Sequence, residues 1–446
     1  MDAAWVLYLC VANVQGINGP SPDRPAPTPG ESKVIDDPGR DDSLAAVGLP
    51  VRLLAAVRGL PAACLRRLDF GDRAALGMWA AAHLALFVLA WAAAWVYRGD
   101  TSHAPLTGVF EHLDAIRLRN IAQYGYFSAN STPNNTIMFP GYPLTLAAVH
   151  LILRNWTLSE LVVSGIAGCF AMVSLSRLAG NRRAVLYLLT MPAAIFLMVG
   201  YAECLFLALA IPAWHAATKG RWRRAVVLAG LSGLVRVDAV FLVLALAVMA
   251  LTAPLAQVLP TQDLREHDLQ DPVWEHPVWQ RLRNAVTCWC AFAGPVAYEI
   301  YLRVCTGTWN TWATANQAGW GLHTVTPLQA LKATYWVAFQ HVFVAGVAFE
   351  YQLEIAVEAV MVLATLAFLC TRRWPEAVYC GLPAVVIGTQ TFYQSGPRTL
   401  LLLFPICIAL ASFEARHPWV KYLYFGISTP LAVVMGLLFL AGQWAG

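Results

Sequence analysis

From residue 74 to the C-terminus the chain presents one apolar run after another, and the length of those runs restricts the fold more than any motif does. About 20 apolar residues are needed for a helix to cross a hydrocarbon core, where the backbone must satisfy its own hydrogen bonds. Runs at 74–97, 159–176, 184–200, 201–217, 224–252, 284–304, 351–371, 375–392, 398–415 and 418–441 read as spans on that basis. Segments 138–153 and 328–346 fit either a span or a juxtamembrane surface helix. The 224–252 run holds Arg236 and Asp238 at its middle. A charge at mid-bilayer costs at least about 2.5 kcal/mol, so two short spans meeting at an outer turn are expected there. With both ambiguous segments at the surface, the chain reads as an all-α polytopic membrane protein. It has about eleven transmembrane helices and juxtamembrane helices in the first outer loop.

Composition agrees with that class. Hydrophobic residues make up 58% and charged residues 13%, against about 25% charged in a soluble domain, and the mean hydropathy is +0.56. Residues 1–50, with a Pro-, Gly-, Asp- and Ser-rich run from Gly16 to Asp42, read as a disordered arm. Residues 51–72, with Arg52, Arg58, Arg66 and Arg67 among leucines and alanines, read as a basic interfacial helix on an anionic leaflet. Residues 73–446 form the transmembrane body, with 98–158 as its first outer loop. The cysteines are scattered, and Cys288 and Cys290 lack the second ligand pair of a zinc site, so no metal is expected. The net charge of +4 implies no nucleic-acid partner.

Basic residues set an orientation. Of the 30 Lys and Arg, 22 fall on one side in the eleven-span reading, which marks that side as cytoplasmic. Asp114, Glu203, Arg236, Asp238, the segment Gln317 to Trp320 and Arg398 then collect on the outer face. Ionisable groups at the membrane edge are functional candidates. Arginines offer bidentate recognition of phosphate, and a carboxylate can take a proton from an attacking hydroxyl. Each has a plainer reading. Asp114 and Arg117 suit a solvated i, i+3 pair, and Glu203 suits an N-terminal helix charge. Arg236 and Asp238 suit a mutual pair, and Arg398 suits a snorkelling anchor. His112 reads as a bystander or a site neighbour.

Several runs carry a resemblance. Leu113-Asp114-Ala115, Ile121 to Tyr126, Phe139-Pro140-Gly141-Tyr142-Pro143, Gly200-Tyr201-Ala202-Glu203, Gly233-Leu234-Val235-Arg236, Gln317 to Trp320, and Gly396-Pro397-Arg398 leading into Phe404-Pro405 occur in one order. Together they resemble the PIG-V family, which contains the second mannosyltransferase of GPI-anchor assembly and bacterial relatives with the GT-C membrane fold. The resemblance covers roughly residues 74 to 420. It departs from the family at Leu113, where a Trp is usual, and at Val237-Asp238, where a small residue and Asn are usual.

The resemblance implies that 73–446 is a GT-C catalytic domain. It would transfer mannose from a polyprenyl-phosphate-mannose donor to a lipid-linked glycan acceptor on the extracytoplasmic face, with inversion and without metal or other cofactor. Carried over, Asp114 is the base, while Arg236, Arg398, Glu203 and Asp238 bind the donor. His112, Arg117, Gln317, Trp320 and Tyr142 line the acceptor or sugar site. The alanine- and arginine-rich composition points to a bacterial plasma membrane; in a eukaryote the site would face the endoplasmic reticulum lumen. Two alternatives stand: a GT-C transferase for another polyprenyl-linked sugar, and a flippase or transporter of lipid-linked sugars. A transporter usually shows an internal repeat between halves, and none is evident here.

Overall fold

The computed structural model describes residues 68–98, 110–252, 277–340 and 345–443. The arm expected at 1–50, and the basic helix expected at 51–72 up to residue 67, lie outside the described residues. Among the described residues every regular element is helical, and strand pairing is limited to one isolated bridge between Thr324 and Gln390.

The long helix α1 (Phe70–Arg98) starts where Asp69 and Asp72 cap each other. Asp72 donates its backbone N–H to Asp69 Oδ1 at 2.7 Å, and Asp69 donates in return to Asp72 Oδ2 at 3.2 Å. The segment between α1 and the next long helix then holds α2 (Asp114–Tyr124), a 3₁₀ turn at Asn135–Ile137 and α3 (Gly141–Leu153). Helix α4 (Trp156–Ala179) begins at Asn155, whose side chain accepts the Leu158 N–H, and ends at Gly180 in the left-handed region. Its two ends are pinned by charge. Near its start Glu160 meets Arg119, and near its finish Arg177 reaches Asp72 through two contacts of 2.6 and 2.9 Å. The segment carrying α2 and the start of α1 therefore occupy opposite ends of α4.

After α5 (Arg183–Leu189) come a 3₁₀ turn at Ala194–Leu197, α6 (Glu203–Thr218), α7 (Trp222–Val235) and α8 (Ala239–Thr252). The run 184–200, expected as one span, is thus a short helix and a 3₁₀ turn. Pro192 has no N–H to continue a helix, and most of the stretch is buried in the core, where apolar residues need not cross lipid. The 224–252 run does divide, and the break falls at Arg236–Asp238, as the charges there require. Helices α9 (Pro277–Trp289), α10 (Ala293–Thr306), α11 (Thr311–Trp320), α12 (Pro327–Phe339) and α13 (Ala345–Cys370) follow. The chain closes with α14 (Trp374–Gly388), α15 (Gly396–Leu402), α16 (Phe404–Glu414) and α17 (Trp419–Leu440). The segment 138–153 is realised as α3 and 328–346 largely as α12, both short and lying beside longer helices.

By length and composition, α1, α4, the stretch Val278–Thr306, α13 and α17 can each cross a membrane. Helices α15 and α16, bent by 69° at Leu403, add a sixth crossing if counted as one broken span. Large apolar side chains on these helices face outward, including Leu84, Trp95, Phe170, Leu363 and Ile427. A water-soluble surface rarely tolerates so much contiguous apolar area. The chain is an all-α membrane protein.

Small residues let the helices meet at close range, which matters where lipid removes the hydrophobic incentive for association. Trp79 on α1 donates its indole N–H to the Gly165 carbonyl of α4 at 3.0 Å, and its ring lies where a Gly168 side chain would stand. Gly230 and Gly233 on α7 face Gly294 and Pro295 on α10 at similar closeness. Gly168→Ala is therefore expected to lower stability by about 1–3 kcal/mol, the usual range for overpacking. Gly165→Ala, which meets open space, serves as the control. Thermal unfolding in detergent checks the pair, and equal melting of the two variants would remove the close-packing argument.

Candidate functional site

The site is built from helix ends. Asp114 opens α2 directly after Leu113, whose φ of 54° lies in the left-handed region that a β-substituted residue enters at a cost of about 1–3 kcal/mol. Arg398 lies in the first turn of α15, after Ser395 at φ 61° and Gly396. Glu203 opens α6, and Arg236 ends α7 with extended backbone before Asp238. Four separated stretches of chain thus deliver their charged side chains to one place.

Glu203 is the hub. Its Oε1 lies 2.9 Å from Arg236 Nη1, 2.9 Å from Arg398 Nε and 2.8 Å from Arg398 Nη2. Arg398 Nη1 reaches Asp114 Oδ2 at 2.6 Å, across 284 positions of sequence, and Arg236 Nε reaches Asp238 Oδ2 at 2.8 Å. The Arg398 guanidinium carbon lies 4.9 Å from the Tyr201 ring centroid and 5.1 Å from that of Phe196, within cation–π range. Tyr201 also fixes the start of α2, because its hydroxyl accepts the Asp114 backbone N–H at 3.2 Å. Glu203 is fully buried, whereas the other four keep small exposed fractions, from 11% for Arg398 to 18% for Arg236. Asp114 Oδ1 has no hydrogen-bond partner among the described residues. The carboxylate is held through one oxygen and open at the other.

Arg398 is no snorkelling anchor, since its guanidinium is turned into the protein between two carboxylates. Arg236 and Asp238 do pair, but Glu203 joins them. Asp114 takes Arg398 as its ion-pair partner and not Arg117, which lies one turn further along α2. Arg117 instead donates Nη1–H to the Pro133 carbonyl at 3.0 Å and stacks over Trp320, 4.8 Å from the ring centroid. Gln317, on the same helix as Trp320, is exposed and makes no side-chain contact to the charged cluster. The His112 ring packs edge-on against Phe439 of α17 and lies beside Gly442. Tyr142 is fully buried at the start of α3. The reason is its neighbour Gly141, packed against the Leu234 carbonyl so closely that a Cβ would stand 2.7 Å away, which draws the start of α3 into the core.

A second ionic knot braces the loop beside the site. Arg119 makes contacts of 2.8 and 2.9 Å to Glu160 and 3.1 Å to Glu111, while the Thr157 hydroxyl donates to Glu111 and accepts from Arg119. Burial tends to raise the Glu111 carboxyl, but Thr157 and Arg119 outweigh it and hold the pKa below the ordinary value. Burial likewise works against the Arg119 charge, and Glu160 and Glu111 overcome it to raise that pKa.

Sequence reasoning missed two supports. Tyr201 and Phe196 form the aromatic platform of Arg398, and the Gly200-Tyr201-Ala202-Glu203 run was the available signal. Glu350, Glu354 and Glu358 on α13 are all buried and spaced one turn apart. Glu354 Oε2 accepts the Gly396 N–H at 2.9 Å and so holds the start of α15, which carries Arg398. The i, i+4, i+8 spacing in an apolar run is the signal that the sequence offers for them. No group of three or more His, Cys, Asp or Glu among the described residues is arranged to hold a metal ion.

Comparison of the chain with protein-family models, with curated proteins and with solved structures finds no match. The internal geometry therefore carries the argument, and a coupling measurement tests it. Arg398→Gln and Glu203→Gln are each expected to destabilise, since removing one partner of a buried pair typically costs about 3–5 kcal/mol. Together they should lose less than the sum, with a coupling of about 1–3 kcal/mol in a double-mutant cycle of thermal unfolding. Strictly additive losses would mean that the network does not act as a unit.

Proposed function

We propose that this chain is a membrane-embedded glycosyltransferase that moves a mannosyl group from a polyprenyl-phosphate-mannose donor to a hydroxyl of a glycolipid acceptor, with Asp114 as the base. The observation that carries the reading is the convergence of Asp114, Glu203, Arg236 and Arg398 in one network, with Asp114 held by Arg398 through Oδ2 alone. These four lie in the runs that carry the resemblance to the PIG-V family. Residues scattered over the chain for purely structural reasons have no cause to meet at the ends of four different helices.

The chemistry follows from that arrangement. Asp114 Oδ1 takes the proton of the acceptor hydroxyl while that oxygen attacks the anomeric carbon. The new C–O bond forms on the face opposite the phosphate, and the bond from the anomeric carbon to the phosphate oxygen breaks. Its electron pair leaves with the polyprenyl monophosphate, so the configuration inverts. Arg398 orients the base by clamping one of its oxygens, and Glu203 fixes Arg398 in turn. Such general-base help is worth about 10²- to 10⁴-fold. The GT-C architecture with about eleven crossings and an outer-face site in a bacterial plasma membrane belong to the same proposal.

The test is transfer from synthetic polyprenyl-phosphate-mannose into a membrane lipid extract by purified wild type and by Asp114→Asn at equal folded yield. Transfer by wild type, reduced at least about a hundredfold in the variant, is the expected result. Equal transfer by both would remove Asp114 from the role of base, and a labelled product would identify the acceptor.

A further inference from the structure

The two arginines at the hub are poor candidates for a phosphate. Three carboxylates, Asp114, Glu203 and Asp238, face two guanidinium groups, so the cluster is formally anionic. Its field repels an approaching phosphate, and both arginines are already neutralised by acids a few ångströms away. A phosphate monoester needs a cation outside those pairs, close to Asp114 and held in place.

Arg117 meets each requirement. It lies three residues after Asp114 on α2, which places the two on adjacent turns of one face. No carboxylate of the described residues lies within ion-pairing distance of it. Burial, opposed by the charge of Asp114, holds its pKa below the ordinary guanidinium value, the mark of a cation that is partly desolvated and incompletely compensated. Its position is fixed from three sides. The stem is carried by α2, Nη1 donates to the Pro133 carbonyl at 3.0 Å, and the guanidinium stacks on Trp320 at the end of α11. Helix α11 is itself fitted to the turn at Asn135–Ile137, with Gly319 against Ile137 and Asn134. With Nη1 engaged, Nε and Nη2 have no partner among the described residues. Those two N–H groups form the parallel edge that guanidinium uses for bidentate recognition of phosphate. Arg154, Arg303 and Lys332 lack this setting, since Arg154 and Lys332 are exposed and Arg303 sits over the exposed Trp309.

We propose that Arg117, braced by Pro133 and Trp320, is the phosphate-binding residue of this site and receives a phosphate monoester on its Nε–Nη2 edge. The assignment rests on the transferase reading for its lipid, since the monoester there is the polyprenyl phosphate leaving group; free phosphate shares the same chemistry. Trp320 keeps the guanidinium plane fixed, so the site is preorganised for a planar pair of contacts and not for a point charge.

Equilibrium binding of radiolabelled farnesyl phosphate to the full chain in nanodiscs tests this, with farnesol and inorganic phosphate as competitors. Arg117→Gln should weaken binding about ten- to hundredfold, the usual loss for a charge-assisted contact. Arg117→Lys should recover only part of it, and Arg303→Gln should stay within about twofold. Trp320→Ala, which removes the platform and keeps the charge, should weaken binding severalfold and serves if Arg117→Gln fails to fold. Wild-type affinity in a folded Arg117→Gln or Trp320→Ala protein overturns the assignment and leaves the transferase reading standing. Displacement by inorganic phosphate as effective as by farnesyl phosphate upholds Arg117 but makes free phosphate the ligand, which removes the lipid donor. Farnesyl phosphate that binds no better than farnesol overturns both.

Discussion

Glu203 Oε1 receives N–H groups from two arginines 162 positions apart in the chain, and that shared acceptor is the point from which this end of the helical bundle is organised. A carboxylate fully withdrawn from solvent is expensive to ionise unless opposite charge surrounds it. Two guanidinium groups supply that charge, and each is in turn balanced by a second acid, Asp238 for Arg236 and Asp114 for Arg398. Remove the hub and the two arginines face each other across a poorly solvated gap. Helices α6, α7, α15 and α2 therefore have their ends brought together by electrostatics, in a place where apolar packing alone would let them slide.

The membrane explains why the ends carry this burden. Within hydrocarbon, helices gain little by burying apolar side chains against one another, so close packing at glycines and polar contacts at the edges decide registry. The Trp79–Gly168 contact and the glycine face between α7 and α10 provide the first. Two edge networks provide the second, one at Glu203 and one at Arg119. The two are neighbours, because a side chain at Gly200 would stand 2.8 Å from Glu160 of the Arg119 knot, and Glu203 follows three residues later.

How much of this was legible in the sequence depended on whether a charge interrupted an apolar run. Arg236 and Asp238 did so, and the break they imply lies where the structure has it. Glu203 and Arg398 stood at the starts of apolar runs and Asp114 in the loop 98–158, where ionisable groups are conspicuous, and they meet. The stretch 184–200 carries no charge beyond its beginning, so hydropathy alone could not distinguish a buried, proline-interrupted segment from a lipid-crossing helix. The burial of Tyr142 was not legible, because aromatic residues beside prolines look like loop features, and only the approach of Gly141 to α7 shows that the segment enters the core. Glu350, Glu354 and Glu358 were averaged away by the apolar residues around them. Partner choice was the least readable property, since Asp114 bonds to a residue 284 positions distant and ignores the arginine three positions away.

That partner choice has a backbone cause. Leu113 and Ser395, both at positive φ without being glycine, immediately precede the helices that carry Asp114 and Arg398. Each turns the chain sharply and aims the first turn of the following helix toward Glu203. At Gly396 a side chain would stand 2.6 Å from Glu354 Oε2, so the second turn can form only around a residue without a Cβ. Such strain persists when surrounding contacts over-determine the conformation. Here Tyr201 holds the Asp114 N–H, Glu354 holds the Gly396 N–H, and the ion pair between Asp114 and Arg398 closes the loop between them. With Asp114 turned to Arg398, Arg117 on the next turn of α2 is left facing Trp320 with its outer edge uncommitted. One strained residue thus gives two adjacent charges different partners, Arg398 for Asp114 and Trp320 for Arg117.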